Sequence, residues 1–462
     1  MDALLLDLLR CPFCGGHFNA ADPNPLTDGQ GYGILTCYCG HYPVVAGIPI
    51  LKRDTTGDIH EVMTLIEAGQ HEEALLTLLT PAASALVPAW KRRLPTTRGL
   101  RWLKYLGQRQ ALRKWRTRAV SPFIKQKSQV TACDLFAFYF HNKKDSYDYF
   151  AFRPGQPRHL VSLSFTSLIQ QPQKPILDFA CGCGHVTYSL GQRTGNQPII
   201  GVDDFFFGLY VAKYWIAPQA HYVCCTADTA LPFSNDTFSA VFCSDAFHYF
   251  AHKIATFREF TRVIEPEGLI MLVWMHNALW RCAHDGLPLP PEGYQALVGD
   301  MPHRLVADKD VLMRYLQKQG PPLAWSAEPT VLAQAPLLSL VASHNQEIFQ
   351  DHGTFADWPH AQGRLGLNPL YVAEEWSHDD VHLRRTFPSA FYESEHAQCK
   401  SYLPERMNVQ ATVIDHLVQG QRSAELERLI DQCVILAMPD RYRKSSQEPE
   451  LWASSLQQEN LE

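Results

Sequence analysis

Apolar residues in this chain come in short blocks, and their spacing alternates between unbroken strand-like runs and helical periodicity. Val62, Leu65 and Ile66, then Leu75, Leu76 and Leu79, recur at helical spacing across 60–68 and 71–79, with a break at Gly69. Ile176-Leu177 opens a compact block that ends in Asp178, turns on Gly182 and Gly184, and gives way to Val186–Leu190, which reads as a helix. A second block, Ile199-Ile200-Gly201-Val202, closes on Asp203. Later blocks around Val241-Phe242-Cys243 and Leu269–Val273 read as further strands. Asp308–Gln319 reads as a helix with an acidic start, stopped by Gly320-Pro321-Pro322. Ala324–Leu332 and Pro336–Ser343 read as two β segments, which completes a seven-stranded sheet by about residue 345. Beyond it the chain is polar and His-rich over 346–380, and helices are predicted around Asn408–Leu417 and Ala424–Ala437.

Strand, glycine turn and helix in succession define an α/β arrangement in which bare backbone approaches a nucleotide-like ligand at a helix N-terminus. An acid closing the next strand, as Asp203 does, is where such folds grip ribose hydroxyls. Position 187 is Thr, so the third glycine of a nicotinamide fingerprint is missing. That points away from a dehydrogenase.

The motifs continue with Cys225-Thr226-Ala227-Asp228, Leu231-Pro232-Phe233, Ser244-Asp245-Ala246-Phe247-His248 and Glu265-Pro266-Glu267-Gly268. In this order, over about residues 174–276, the run resembles the class I S-adenosylmethionine-dependent methyltransferases of the type 11 group. Two positions depart from that family: Ala180 replaces the first glycine of the turn, and Pro266-Glu267-Gly268 replaces Pro-Gly-Gly. The resemblance implies a Rossmann-like seven-stranded domain and an S-adenosylmethionine cofactor. It places Asp178, Gly182 and Gly184 at the methionine end of the donor and adds Ala180 and Ser244 to the donor site. Asp203 would take the ribose, with Asp204 beside it, and Ala227 and Asp228 the adenine. His248, after the fourth strand, is the candidate acid–base residue, since imidazole titrates near neutrality. No Asn-Pro-Pro-Tyr follows that strand, which leaves O-, C- and other N-acceptors open ahead of adenine N6.

The 462 residues carry a net charge of −6 and 13 cysteines. No apolar stretch approaches the roughly 18 residues of a membrane span. The start, Met1-Asp2-Ala3-Leu4-Leu5-Leu6-Asp7, carries acids and no basic segment, a poor signal peptide. Cysteine usage suggests a metal site plus free thiols in a reducing compartment, so the expected location is cytoplasmic.

Cys11-Pro12-Phe13-Cys14 and Cys37-Tyr38-Cys39 form two knuckles able to offer four thiolates to one structural Zn²⁺. With Tyr42-Pro43-Val44 and Gly47-Ile48-Pro49-Ile50-Leu51, residues 4–52 resemble the small zinc-binding activator proteins of methyltransferases. The second knuckle is one residue short, and His41 is an alternative to Cys39. Residues 91–127 hold thirteen Lys and Arg and no acid, interleaved with Trp102, Tyr105 and Trp115. That strip suits nucleic-acid phosphates, an anionic membrane or an anionic substrate, or is a solvated face. Tyr147–Arg153, just before the first strand of the sheet, suits an aromatic lid.

The expected organisation is a zinc-ribbon module over 1–52, a helical basic linker over 53–133, the methyltransferase domain with its lid over 134–345, and a mostly helical C-terminal extension over 346–462. The favoured activity is methylation of a small-molecule acceptor. Two alternatives remain: an RNA methyltransferase docking through the ribbon and basic helix, and a non-catalytic S-adenosylmethionine-binding scaffold.

Overall fold

The computed structural model describes residues 1–443 apart from 22–23, 27–28, 55–56, 81–128, 141–142, 171, 196, 228, 282–285, 355–362 and 377–379. The basic strip over 91–127 and Asp228 therefore lie outside the described residues.

The N-terminal module is a small antiparallel sheet of β1 (Asn19–Ala20), β2 (Gly33–Cys37), β3 (Gly40–Val45) and β4 (Ile48–Pro49), in that order. Too small to bury a core of its own, it shares one. Leu5, Leu9, Leu35, Val44 and Leu51 pack in one cluster with Val223, Leu231 and Phe233 of the neighbouring domain. Ile50 bridges Cys224 in parallel, and the Leu51 N–H donates to the Cys224 carbonyl at 2.7 Å, so the module covers an edge that would otherwise expose unpaired backbone. Helices over Asp58–Glu67 and His71–Leu79 follow, as the periodicity predicts.

The central sheet contains β5 (Ile176–Phe179), β6 (Ile199–Asp203), β7 (His221–Cys224), β8 (Phe238–Ser244), β9 (Ile264–His276), β10 (His303–Ala307) and β11 (Leu337–Ser343). Their order is β10-β11-β9-β8-β5-β6-β7, with β11 antiparallel to both neighbours and the strands from β9 to β7 parallel. Successive residues supply opposite faces. Ile176, Ile199, Phe242 and Met271 join one buried cluster, while Leu177, Ile200, Val241 and Ile270 join the other. Strand order reverses between β5 and β8, the place where doubly wound sheets open a crevice at the carboxyl ends of their strands.

Two expectations need correction. Ala324–Leu332 is not a strand: Pro329, free to begin a helix at its first position, starts one over Pro329–Gln334. The sixth strand is instead β10, whose polar start at His303-Arg304 hides it in the sequence. The C-terminal extension is not mostly helical either. Among its described residues, β12 (Arg364–Leu367) pairs with β16 (Ile435–Met438), and β13 (Tyr371–Trp376), β14 (Asp380–Arg385) and β15 (Arg406–Gln410) form a second sheet. The apolar blocks read as two long helices are a strand running into a helix (Ala411–Val418) and a helix (Ala424–Asp431) followed by a strand. Cys433, in a left-handed conformation between the latter pair, ends the helical register.

Candidate active site

The turn after β5 is held from below and from the side. Asp178 is buried and accepts a hydrogen bond from the Thr187 hydroxyl at 2.5 Å. Burial raises its carboxyl to about 7, with Thr187 opposing. Asp203 accepts from the Gly182 N–H at 2.8 Å through one oxygen and from the Phe205 N–H at 2.9 Å through the other. Burial raises it to about 6, opposed by those two N–H groups.

Ala180 adopts φ +58° and Gly182 φ +55°, in the left-handed region that favours glycine. The family's first glycine is thus replaced where its absence is felt. The two remaining glycines do different work. A Cβ on Gly184 would lie 2.7 Å from Ala212 Cβ, so that glycine is required by helix packing. A Cβ on Gly182 would meet nothing nearer than Phe150 Cε1 at 3.7 Å. That clearance, beside an acid with two anchored oxygens, suits the donor's methionine and ribose portions. S-adenosylmethionine therefore fits Gly182 and Asp203, while Asp178 and Gly184 shape the turn from beneath. Asp204 is exposed, its carbonyl accepting from Lys52 Nζ at 3.0 Å, and Ala227 is half-buried. Ser244 is buried, its hydroxyl 2.7 Å from that of Ser162.

The residue after Ser244 organises the rest. Asp245, at φ +58°, receives on its Oδ2 hydrogen bonds from Tyr149 Oη at 2.8 Å, Arg153 Nη1 at 3.0 Å and Arg158 Nη1 at 2.8 Å. Tyr149, Arg153 and Arg158 come from one stretch about 90 residues before Asp245, and Arg153, Arg158 and Asp245 are buried. Burial alone would raise the Asp245 carboxyl; Arg158 and Arg153 outweigh it and hold it well below the usual carboxylate range.

Above this network lies a cavity of about 410 Å³. The helix Lys144–Ala151 supplies Tyr149 and Phe150 to its wall, and the extension supplies Phe391, Tyr392 and His396. The aromatic segment before β5 and the extension thus line one cavity together. His396 Nε2 lies 3.1 Å from Arg158 Nη2, and the Tyr442 hydroxyl donates to the Phe150 carbonyl.

His248 follows Asp245 by three residues and is 1% exposed, with neither ring nitrogen hydrogen-bonded. Burial pushes it down to about 3 against the pull of Asp245, so the ring is neutral. It sits behind the cavity wall formed by Asp245 and Tyr249. The His276 ring lies 4.4 Å from it, centroid to centroid.

In the N-terminal module the four predicted sulfurs converge. Cys11 and Cys39 Sγ are 3.4 Å apart, Cys37 and Cys39 3.5 Å, and Cys14 and Cys37 3.8 Å. Zn–S bonds of about 2.3 Å in a tetrahedron place sulfurs roughly 3.8 Å apart, so the donor set suits zinc. Cys39 joins the cluster despite the shortened knuckle, and His41 does not.

Sequence reasoning marked Tyr149 and Arg153 only as part of an aromatic segment, and missed Arg158, Asp245 and His396 as site residues. Of these three, Asp245 alone carried a signal, an acid at the end of a buried strand.

Residues 176–268 match the family model described as a methyltransferase domain. The chain is 31% identical over 142 residues to "Uncharacterized methyltransferase YodH" of Bacillus subtilis, covering 29% of this chain and 55% of that protein. It is 29% identical over 136 residues to "Uncharacterized methyltransferase C25B8.09" of Schizosaccharomyces pombe, covering 29% of this chain and 51% of that one. The chain thus spans about half the length of the curated relatives it matches. Among solved structures, the plantazolicin methyltransferase BpumL aligns with 15% identity and a TM-score of 0.33, over 46% of this chain and 96% of that one. No helix among the described residues is long and apolar enough to cross a membrane.

Proposed function

We propose that the protein transfers a methyl group from S-adenosylmethionine to a small-molecule acceptor held between the lid helix and the C-terminal cap. The observation that carries this reading is the aromatic-walled cavity of about 410 Å³ at the carboxyl end of β8, beside the Gly182 turn. Its volume falls within the roughly 300–1,000 Å³ of small-molecule sites. The donor supplies an electrophilic methyl on a sulfonium. Gly182 and Asp203 hold it, with Ala180, Ser244, Asp204 and Ala227 around them. Tyr149, Phe150, Phe391 and Tyr392 exclude water and orient the acceptor, the kind of positioning worth about 7–11 kcal/mol in favourable cases. For a hydroxyl or amine acceptor, His248 is assigned the proton: its ring is neutral with neither nitrogen partnered, and it reaches the acceptor only past the wall of Asp245 and Tyr249. The Cys11, Cys14, Cys37 and Cys39 cluster holds structural Zn²⁺ in this reading, and the location is cytoplasmic. The competing RNA reading draws on the basic strip at 91–127, outside the described residues.

Calorimetric titration of S-adenosylhomocysteine, followed by a labelled-donor screen of small acceptors against RNA, tests the proposal. Micromolar binding and label in a small acceptor are expected, with turnover falling in His248→Gln at unchanged donor affinity. Donor binding without turnover on any acceptor would favour the scaffold reading. Label confined to RNA would overturn the acceptor assignment.

A further inference from the structure

Behind the cavity wall, three side chains from two strand ends meet. Asp245 and His248 follow β8, and His276 ends β9. One ligand-capable atom from each lies within 4.8 Å of the others. These strands are parallel neighbours, so their carboxyl ends are adjacent by topology. The packing of β8 on β9 therefore sets the spacing between the groups.

Two observations separate this cluster from ordinary buried polar groups. His248 is 1% exposed, yet both of its ring nitrogens lack a hydrogen-bond partner. An imidazole buried with both nitrogens unsatisfied forfeits the full desolvation cost of each, about 1–3 kcal/mol per group. Native interiors rarely tolerate that. Secondly, Asp245 is occupied on one side alone. Tyr149, Arg153 and Arg158 all bond Oδ2, and no described residue bonds Oδ1.

We propose that Asp245, His248 and His276 form a binding site for a divalent transition-metal ion. Two imidazoles and one carboxylate are the donor set that suits Mn²⁺, Fe²⁺, Co²⁺ or Zn²⁺, and leave coordination positions open. Ligand bonds of about 2.0–2.2 Å bring neighbouring donor atoms to roughly 3 Å apart, so the cluster closes by side-chain rotation of an ångström or so. Arg153 and Arg158 then act as outer partners that orient the carboxylate, as hydrogen-bonded groups behind metal ligands do.

The two arginines also constrain what the ion can serve. They share the single Asp245 carboxylate, while Asp145, Asp148 and Glu395 also line the cavity, so the charge a divalent ion brings is met there by carboxylates. The open coordination positions face the cavity that Asp245 lines, where an acceptor oxygen can complete the ligand set. The acceptor class this favours is a hydroxyl compound able to present an ionised oxygen, such as a phenol or enol. With the ion bound, the His248 ring is a ligand and not a base, and the metal ionises the hydroxyl in its place. The acceptor assignment rests on the methyl-transfer reading; the metal site does not.

The test is a Co²⁺ titration of zinc-loaded, full-length protein, followed by its visible d–d bands, with S-adenosylhomocysteine calorimetry on the same samples. Wild type should take up one Co²⁺ per chain, with d–d bands and no thiolate charge-transfer band, because the ribbon sulfurs stay on zinc. His276→Ala and His248→Ala should weaken uptake by roughly 100-fold or more. His276→Asn, closer in shape and hydrogen bonding, should lose uptake too while still binding S-adenosylhomocysteine. Absence of Co²⁺ uptake by wild type, or uptake unchanged in both His276 variants, overturns the site. Loss of S-adenosylhomocysteine binding by wild type would overturn methyl transfer and leave the metal count standing.

Discussion

Arg158 and His396, 238 positions apart in the chain, lie 3.1 Å from each other over the carboxyl end of β8. One precedes the central sheet and the other belongs to the C-terminal extension. Arg158 holds the Asp245 carboxylate, and both residues line the same cavity.

That arrangement makes Asp245 the residue whose loss is felt most widely. In Asp245→Asn, two buried guanidiniums lose their counter-charge, a change expected to cost about 3–5 kcal/mol. Urea unfolding of the variant against wild type measures it. A shift under 1 kcal/mol would mean that water relieves the arginines.

The two glycines of the turn should separate in their effects. Gly184→Ala meets Ala212 and takes a left-handed conformation, so roughly 2–5 kcal/mol of stability should go. Gly182→Ala carries only the conformational cost, about 1–2 kcal/mol, but its methyl points where the donor would lie. Thermal unfolding together with S-adenosylhomocysteine calorimetry distinguishes them: a large stability loss in Gly184→Ala, and weakened binding by a well-folded Gly182→Ala. The reverse pattern would refute the assignment.

Asp308 predicts a pH effect away from the site. It is buried against Ser339, and burial raises its carboxyl from 3.8 to about 8. The folded protein therefore binds a proton that the unfolded chain releases above pH 4. The resulting stability is fully present below pH 4 and is lost as pH rises through 8. Asp308→Asn, which mimics the protonated acid, should remove this part of the slope. Urea midpoints at pH 6.5 and 8.5 should show wild type losing about 1–2 kcal/mol more than the variant. Equal slopes would show that the carboxyl titrates normally.

A zinc ion held by the N-terminal cysteines should influence the proposed donor site. Leu51 bonds the carbonyl at the end of β7, and Lys52 holds the carbonyl of Asp204, next to Asp203. Cys14→Ser should lower metal content and melting temperature. S-adenosylhomocysteine affinity should weaken by roughly tenfold, about 1.4 kcal/mol. Full zinc content in that variant would mean the sulfurs are not the ligands.

Local chemistry made part of this molecule legible in its sequence. An apolar block of the right length must be a strand when an acid and a glycine turn follow it, and Asp178, Gly182 and Asp203 stand where that grammar puts them. The cysteine spacing likewise named the sulfurs that converge. Reading failed where polar residues open a strand, as at His303-Arg304, and where one apolar block contains two elements, as around Asn408–Leu417. The division of labour between Gly182 and Gly184 was also invisible, because it depends on Ala212 across a helix contact.

The sequence by itself determined the glycine turn after the first strand and each of the two cysteine knuckles, because each rests on residues a few positions apart. The tertiary structure alone decided that Tyr149, Arg153, Arg158 and His396 surround Asp245, and that Asp245, His248 and His276 share one corner. Those contacts join segments up to 238 positions apart, and no local pattern encodes a pairing that exists only once the sheet has closed and the extension has packed over it.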